Sequence, residues 1–279
     1  MPSKKLKIAC LGCSWTRGIH PNSEPMPDNE TYPYHLMTYL KSNGINADVI
    51  QGGRAGAGIE HTHLVADYIL KEFDPDLFVF QITTHDRSIL ALDPIEEKEK
   101  RIRFDYDEVK ENDNDPSFYK IWDLSDNIIH LSPGLGASAS EHHEEERWKW
   151  FVDHLHESKI KGKVTPELSL DNFKNYISTW YEQQSQTDFQ KYFYYSQTYS
   201  LIDFLRQRGK DVVPFYWLKW KPEFRSNLFT LRQFPSIEGL MGEKTFKSYQ
   251  IDNGYHISSE GNAKLVKEFL GPSILETVK

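Results

Sequence analysis

The sequence is poor in cysteine, in long apolar runs and in clustered positive charge, and each shortage excludes a class of protein. Two cysteines, Cys10 and Cys13, are too few for a disulfide framework. No apolar run reaches the ~18 residues of a transmembrane helix, so we expect no membrane span. The net charge of -8, without a Lys/Arg stripe, argues against a nucleic-acid partner. Residues 1–7 are basic but lead into no signal-peptide core, so we expect a cytoplasmic protein.

Short apolar runs alternate with segments of helical spacing along most of the chain. Such alternation predicts an α/β fold with three layers, α/β/α, and a flavodoxin-like parallel sheet of about five strands. Strands are predicted at residues 6–11, 47–50, 77–82, 211–217 and 249–252. Helices are predicted at residues 32–42, 59–73, 188–208 and 259–269, with Leu64, Ile69 and Leu70 of the second helix facing the core.

The periodic pattern is interrupted in the middle of the chain. From about residue 93 the sequence becomes rich in charge and in loop-forming residues. We expect one domain over residues 1–279, in which residues 93–186 form a helical or irregular insertion or cap. Aromatic residues of this insertion are expected either to pack it onto the sheet or to stack on a sugar, and they include Trp148, Trp150, Trp180 and Tyr181.

The first predicted strand leads into a glycine-flanked serine turn. Residues 12–18 read Gly-Cys-Ser-Trp-Thr-Arg-Gly, and active sites of parallel sheets form at the carboxyl ends of strands. This block resembles the Gly-Asp-Ser-x-Thr-x-Gly block of the SGNH/GDSL hydrolases, with Cys13 where the family has aspartate. The resemblance implies that Ser14 is the nucleophile and that its backbone N–H stabilises the oxyanion.

Two further blocks follow the second and third predicted strands. Residues 51–56, Gln-Gly-Gly-Arg-Ala-Gly, are similar to the family's Asn-x-Gly-x-x-Gly and imply that the Gly56 N–H is an oxyanion donor. A phosphate-binding loop is the rival interpretation, but the Lys-Ser/Thr of a P-loop is missing. After the third strand, His85 occupies the position of the family's asparagine, the second oxyanion donor; a strand-end histidine satisfied by Asp86 is the alternative.

A fourth block near the C-terminus supplies the catalytic base that the resemblance implies. His256 lies in a Gly-Tyr-His-Ile-Ser-x-Glu-Gly stretch ahead of the last predicted helix. The family has Asp-x-x-His here, whereas Asn253 stands at the expected acid position and Asp252 lies one residue earlier. Either Asp252 completes a Ser-His-Asp triad through a bulged loop, or the protein works with a Ser-His dyad.

These four blocks imply a serine hydrolase that cleaves an ester, for example an acetyl ester on a carbohydrate, and needs no cofactor. A small-molecule or carbohydrate ester is the expected partner. Two alternatives keep the same fold: an acyl- or acetyltransferase with the same site, and a non-catalytic binding or structural module. Trp15, Arg17 and Arg54 lie within or beside the proposed site and are candidates for substrate binding, the two arginines for an anionic substrate, although solvation is the ordinary role of such arginines.

A metal site is the remaining alternative from the sequence. The candidate ligand pairs are Cys10 with Cys13, His61 with His63, and His142 with His143. A strand would point the two cysteines in opposite directions, and histidines two apart on a helix do not share a face. Structural zinc takes four ligands, so we expect no metal here.

Overall fold

A computed structural model describes most of the chain outside the predicted insertion. The described residues are 5–18, 26–54, 56–83, 87–91, 115–121, 128–131, 152–161, 168–180, 188–217, 234–251 and 256–278.

Strands and helices alternate along the described residues. The strands are β1 (Leu6–Gly12), β2 (Ala47–Gly53), β3 (Leu77–Ile82), β4 (Ser88–Ala91), β5 (Phe118–Lys120), β6 (Ile128–Leu131), β7 (Asp211–Tyr216), β8 (Gln250–Ile251) and β9 (His256–Ile257). The α-helices are α1 (Ser14–Arg17), α2 (Tyr32–Ser42), α3 (Ile59–Glu72), α4 (Leu170–Thr179), α5 (Asp188–Gln207), α6 (Ile237–Met241), α7 (Glu243–Ser248), α8 (Ser259–Leu265) and α9 (Gly271–Thr277). A 3-10 turn covers Asp28–Glu30, and π-helical turns cover His156–Ile160 and Val266–Leu270.

The centre of the fold is a five-stranded parallel sheet in the order β5-β2-β1-β3-β7. All five strands run the same way, so their carboxyl ends meet at one edge. The strand pairs β4-β6 and β8-β9 are antiparallel and separate from this sheet. None of the described helices is long and apolar enough to span a membrane.

Helices cover both faces of the sheet, which confirms the predicted three-layer α/β/α fold. Alternate residues of β1 point to opposite layers, as strand geometry requires. Ile8 and Cys10 pack in the layer that contains α2, α8 and α9. Ala9 and Leu11 pack in the layer that contains α3 and α5. Because β1 is buried on both faces, the turn that follows it starts from a fixed position at the carboxyl edge of the sheet.

Two predictions about individual elements are wrong. The fifth strand of the sheet is β5, from within residues 93–186, whereas residues 250–251 form the short β8 that pairs with β9. Leu64 is 41% exposed, because it lies off the helical stripe that buries Thr62, Val65 and Ile69.

The described part of residues 93–186 also has a small apolar cluster of its own. Trp180 packs there with Phe173 and Ile177 of α4, together with Val152 and Ile160. Trp180 is buried inside this cluster, which is formed by residues from within 93–186. Trp148, Trp150 and Tyr181 lie outside the described residues.

Candidate active site

Ser14 lies at the carboxyl end of the central strand β1, as the first residue of α1. Gly12 allows the chain to turn sharply between β1 and α1, because its φ of +154° is a conformation that residues other than glycine rarely adopt. A Cβ on Gly12 would stand 2.2 Å from Gln81 Oε1 and 2.2 Å from Thr16 Oγ1. Ser14 is buried, and its hydroxyl donates to Cys13 Sγ at 3.9 Å.

The side chain of Gln81, near the end of β3, makes hydrogen bonds to Cys13 and Thr16, on either side of Ser14. Its Oε1 atom accepts a 2.8 Å hydrogen bond from the Cys13 N–H. The same oxygen accepts a 3.1 Å hydrogen bond from Thr16 Oγ1, which also lies 3.3 Å from the Tyr32 hydroxyl. Since Gln81 is buried, these bonds fix the backbone on either side of Ser14.

A second buried side-chain amide, that of Gln51 in β2, bonds to the end of α1. Gln51 Nε2 donates to the carbonyl oxygens of Thr16 at 3.0 Å and Arg17 at 3.1 Å. These carbonyls end α1 and have no partners within so short a helix. Gly53 lets α1 approach β2 closely, because a Cβ there would lie 2.6 Å from Thr16 Cβ and 2.8 Å from the Arg17 nitrogen. Strands on both sides of β1 therefore clamp the serine turn.

His256 comes to this turn from the other end of the chain. It begins β9, and β9 lies against α1, the helix that begins with Ser14. The rings of His256 and Trp15 have centroids 6.1 Å apart at an interplanar angle of 48°. Trp15 also contacts Trp217 at a centroid distance of 4.9 Å and Phe246 at 6.1 Å. Through Trp15, His256 therefore contacts an aromatic part of the core.

The structure brings together some of the predicted site residues and does not describe others. Trp15 contacts His256, Ser14 begins the helix against which β9 packs, and Gly56 follows β2 with a φ of +73°. The Arg54 N–H donates to the Gly12 carbonyl at 3.2 Å, which ties the loop after β2 to the serine turn. Two predicted residues lie outside the described residues, namely His85 and Asp252.

The two helical histidines proposed as metal ligands have different surroundings, whereas the two cysteines lie in the same core layer. His61 is buried, whereas the His63 ring bonds the Gln197 carbonyl at 3.1 Å. Cys10 and Cys13 lie in the same core layer, so the prediction that they point in opposite directions is wrong; the chain leaves the strand at Gly12. Among the described residues, no group of three or more His, Cys, Asp or Glu side chains is arranged to hold a metal. His142 and His143 are not among them.

A small cleft opens beside α1 at the carboxyl edge of the sheet. Its polar residues were not among the candidates from the sequence, except Arg17. The pattern does carry a signal for some of them: Gln51 and Gln81 are polar residues inside otherwise buried strands, and such residues usually make specific hydrogen bonds. The lining consists of Arg17, Met26, Asp28, Gln51, Gly53, Lys120 and Ile121.

No protein-family model and no curated protein matches the sequence. In fold, however, the chain is similar to SGNH/GDSL-type esterases and acylhydrolases of known structure. One is a carbohydrate acetylesterase family member from Sinorhizobium meliloti, with 14% identity, a TM-score of 0.36, and coverage of 96% of this chain and 97% of that one. Another is a family 3 carbohydrate esterase from Clostridium thermocellum, with 12% identity, a TM-score of 0.39, and coverage of 99% of both chains.

A third similar structure is a GDSL-like lipase from Bacteroides thetaiotaomicron, with 13% identity, a TM-score of 0.31, and coverage of 100% of this chain and 92% of that one. These proteins belong to the class that the four sequence blocks resemble. At identities of 10–14%, the likeness concerns the fold and does not extend to the activity.

Proposed function

We propose that this protein is a serine hydrolase of the SGNH/GDSL type that cleaves a carboxylic ester. The observation that carries the proposal is the packing of β9, which begins with His256, against the helix that begins with Ser14. A serine hydroxyl is a weak nucleophile unless a base takes its proton. The clamped turn supports this role, because it leaves Ser14 one fixed backbone geometry at the carboxyl edge of the sheet.

In the proposed reaction, Ser14 Oγ attacks the ester carbonyl and His256 takes the hydroxyl proton. The proton then passes to the leaving alcohol, and an acyl-enzyme remains on Ser14. Water attacks this acyl-enzyme with His256 again as base, which releases the acid and restores the serine. Asp252 is the proposed orienting acid; without it, the pair works as a dyad.

The proposed oxyanion donors are the backbone N–H groups of Ser14 and Gly56 and the side chain of His85. The positive φ of Gly56 supports its part in the proposal, since such a turn brings backbone close to a substrate. Removal of one donor from an oxyanion hole typically costs roughly 10²–10³ in rate. Every step uses groups of the protein and water, so the proposal needs no cofactor.

The proposed substrate is a small-molecule ester or an acetyl ester on a carbohydrate. The resemblance in the sequence motivates the second choice, and the similar carbohydrate esterases are named for that substrate class. Hydrolysis and transfer share the acyl-enzyme and differ only in what attacks it. Product analysis with and without a carbohydrate acceptor separates them: free acetate indicates a hydrolase, and acetylated carbohydrate indicates a transferase.

The experiment that tests the proposal is hydrolysis of p-nitrophenyl acetate by the wild-type protein and by two variants. Ser14→Ala and His256→Asn are expected to lower kcat by roughly 10³-fold or more, since each removes a member of the catalytic pair. Ser42→Ala is the matched control, because Ser42 is an exposed serine at the end of α2. Equal activity of Ser14→Ala and wild-type protein would overturn the proposal.

A further inference from the structure

Thr83, the residue that directly follows β3, is bound by a tyrosine from α5. The Tyr194 hydroxyl donates a 2.6 Å hydrogen bond to the Thr83 carbonyl oxygen. The Thr83 hydroxyl lies 3.0 Å from the same tyrosine oxygen, and it is the donor of this second bond because the one phenolic proton is already used. Both residues are buried, so these two bonds tie the end of β3 to α5 without competition from water.

Arg87, the residue directly before β4, makes a close backbone contact with the start of α3. Gly58 is the N-cap of α3, and a Cβ on it would lie 2.7 Å from the Arg87 carbonyl oxygen and 2.9 Å from the Arg87 carbonyl carbon. The φ of −96° at Gly58 is one that any residue adopts, so the glycine is needed here for space and not for its conformation. The segment between β2 and α3 therefore contacts the segment between β3 and β4.

These two segments are the ones that carry two of the proposed oxyanion donors. Gly56 lies two residues before Gly58, in the segment between β2 and α3. His85 lies two residues after Thr83, in the segment between β3 and β4. A contact that fixes Thr83 therefore acts within two residues of a proposed donor.

Tyr194 also lies near the turn that contains Ser14. Gln81, two residues before Thr83, accepts the hydrogen bond from the Cys13 N–H. Burial raises the pKa of Tyr194 above its ordinary value of 10.0, and the nearby Cys13 thiol acts in the same direction. The phenol therefore stays protonated near neutral pH and keeps donating to the Thr83 carbonyl.

We propose that Tyr194 is a positioning residue for ester cleavage: by holding Thr83, it sets where His85 meets the oxyanion. The inference rests on the proposed function and adds to it a residue that touches no substrate. A donor in an oxyanion hole acts on charge that develops only in the transition state, and it must lie within about 2.7–3.1 Å of that oxygen. Displacement of such a donor is therefore expected to lower kcat and to leave KM nearly unchanged.

The test measures kcat and KM for p-nitrophenyl acetate in four proteins: wild type, Tyr194→Phe, His85→Ala and the double variant. Tyr194→Phe removes only the hydroxyl, and it is expected to lower kcat roughly 10-fold with KM changed by less than about twofold. In the His85→Ala background the same change is expected to have almost no effect, because the donor that it displaces is already absent. The factor should also be the same between about pH 6 and 8, since the phenol is protonated throughout.

Two more variants keep the result specific to this contact. Tyr176→Phe is the matched control, because Tyr176 is 43% exposed on α4, and it is expected to keep wild-type kinetics in both backgrounds. Thr83→Val removes the second hydrogen bond and leaves the bond from Tyr194 to the carbonyl. It is expected to lower kcat by roughly threefold, again only while His85 is present. Circular dichroism verifies that each variant is folded, and Thr83→Val carries the test if Tyr194→Phe does not fold.

An unchanged kcat in folded Tyr194→Phe would overturn the inference. An equal loss in the wild-type and His85→Ala backgrounds would overturn it as well, and so would a loss that lies entirely in KM. These results leave the hydrolase in place as long as activity still depends on Ser14. A wild-type protein without Ser14-dependent activity would instead refute the proposed function, and this inference with it.

Discussion

The side chain of Gln81 accepts a 2.8 Å hydrogen bond from the backbone N–H of Cys13, the residue before Ser14. Cys13 stands at the position where the SGNH/GDSL motif has aspartate. Its buried backbone N–H finds its acceptor in the Gln81 side chain of β3. From the other side, Gln51 of β2 donates to the carbonyls at the end of α1. The turn that contains Ser14 is thus held by two amides from neighbouring strands.

Gln81→Leu is expected to destabilise the protein and slow catalysis together. The change leaves the Cys13 N–H buried without its acceptor, which costs about 1–3 kcal/mol of unfolding free energy. Displacement of Ser14 is expected to lower kcat roughly 10- to 100-fold. Urea denaturation and ester hydrolysis measure the two effects. Gln207→Leu, at an exposed position of α5, is the matched control, and equal losses in both variants would contradict this role of Gln81.

Gly53→Ala is expected to reduce activity because the new Cβ meets the backbone of α1 at the Arg17 nitrogen. The nearest contact would be 2.6 Å, a distance that requires α1 to shift. Gly44→Ala is the control: nothing lies within 4 Å of its Cβ, and its cost is backbone strain at a φ of +78°. Kinetics should show a lower kcat in Gly53→Ala alone. Full activity of Gly53→Ala would mean that the close approach of α1 and β2 is not needed.

The identity of the triad acid is tested by a pair of variants at neighbouring positions. Asp252→Asn is expected to lower kcat by roughly 10²–10⁴-fold if Asp252 orients the His256 ring. Asn253→Ala is expected to retain near wild-type kcat, although Asn253 occupies the acid position of the family pattern. The pair is compared by kcat on one ester. Loss of activity only in Asn253→Ala would reassign the orienting role, and no loss in either variant would indicate a dyad.

Because the Cys10 thiol is buried, we expect the free energy of unfolding to fall at alkaline pH. Burial raises the pKa of Cys10 well above its ordinary value of 9.0. Above pH 9 the unfolded chain releases this proton and the folded chain does not, so the unfolding free energy declines as pH rises. One such group contributes at most about 1.4 kcal/mol per pH unit. Urea denaturation between pH 8 and 10 should give a smaller decline in Cys10→Ala, and equal slopes would contradict the assignment.

Elements with a strong local signal were predictable from the sequence. The 3.6-residue spacing and the Asn43-Gly44 stop predict α2 at residues 32–42, where it begins and ends. At the start of α8, the Ser258 hydroxyl accepts a hydrogen bond from the Gly261 N–H, as a serine cap does. Local hydrophobic pattern and capping decide these boundaries, so no tertiary information is needed.

Features that depend on long-range pairing were not predictable in the same way. The three residues of β5 carry little local signal, and they become a strand because they pair with β2. Similarly, the sequence identifies Ser14 and His256 as candidates, but only the fold shows that α1 and β9, the elements that begin with them, are in contact. The roles of Gln51 and Gln81 also required the fold, because their partners lie more than 30 residues away in the chain.

Covalent labelling with an uncharged fluorophosphonate tests the central claim most directly. Intact mass and peptide mapping should find one adduct, on Ser14, in wild-type protein whose fold is verified by circular dichroism. The adduct should be absent in Ser14→Ala, form more slowly in His256→Asn, and form at the wild-type rate in Ser42→Ala. A folded wild-type protein that remains unlabelled, or that carries the adduct on another serine, would contradict the assignment of Ser14 as the nucleophile.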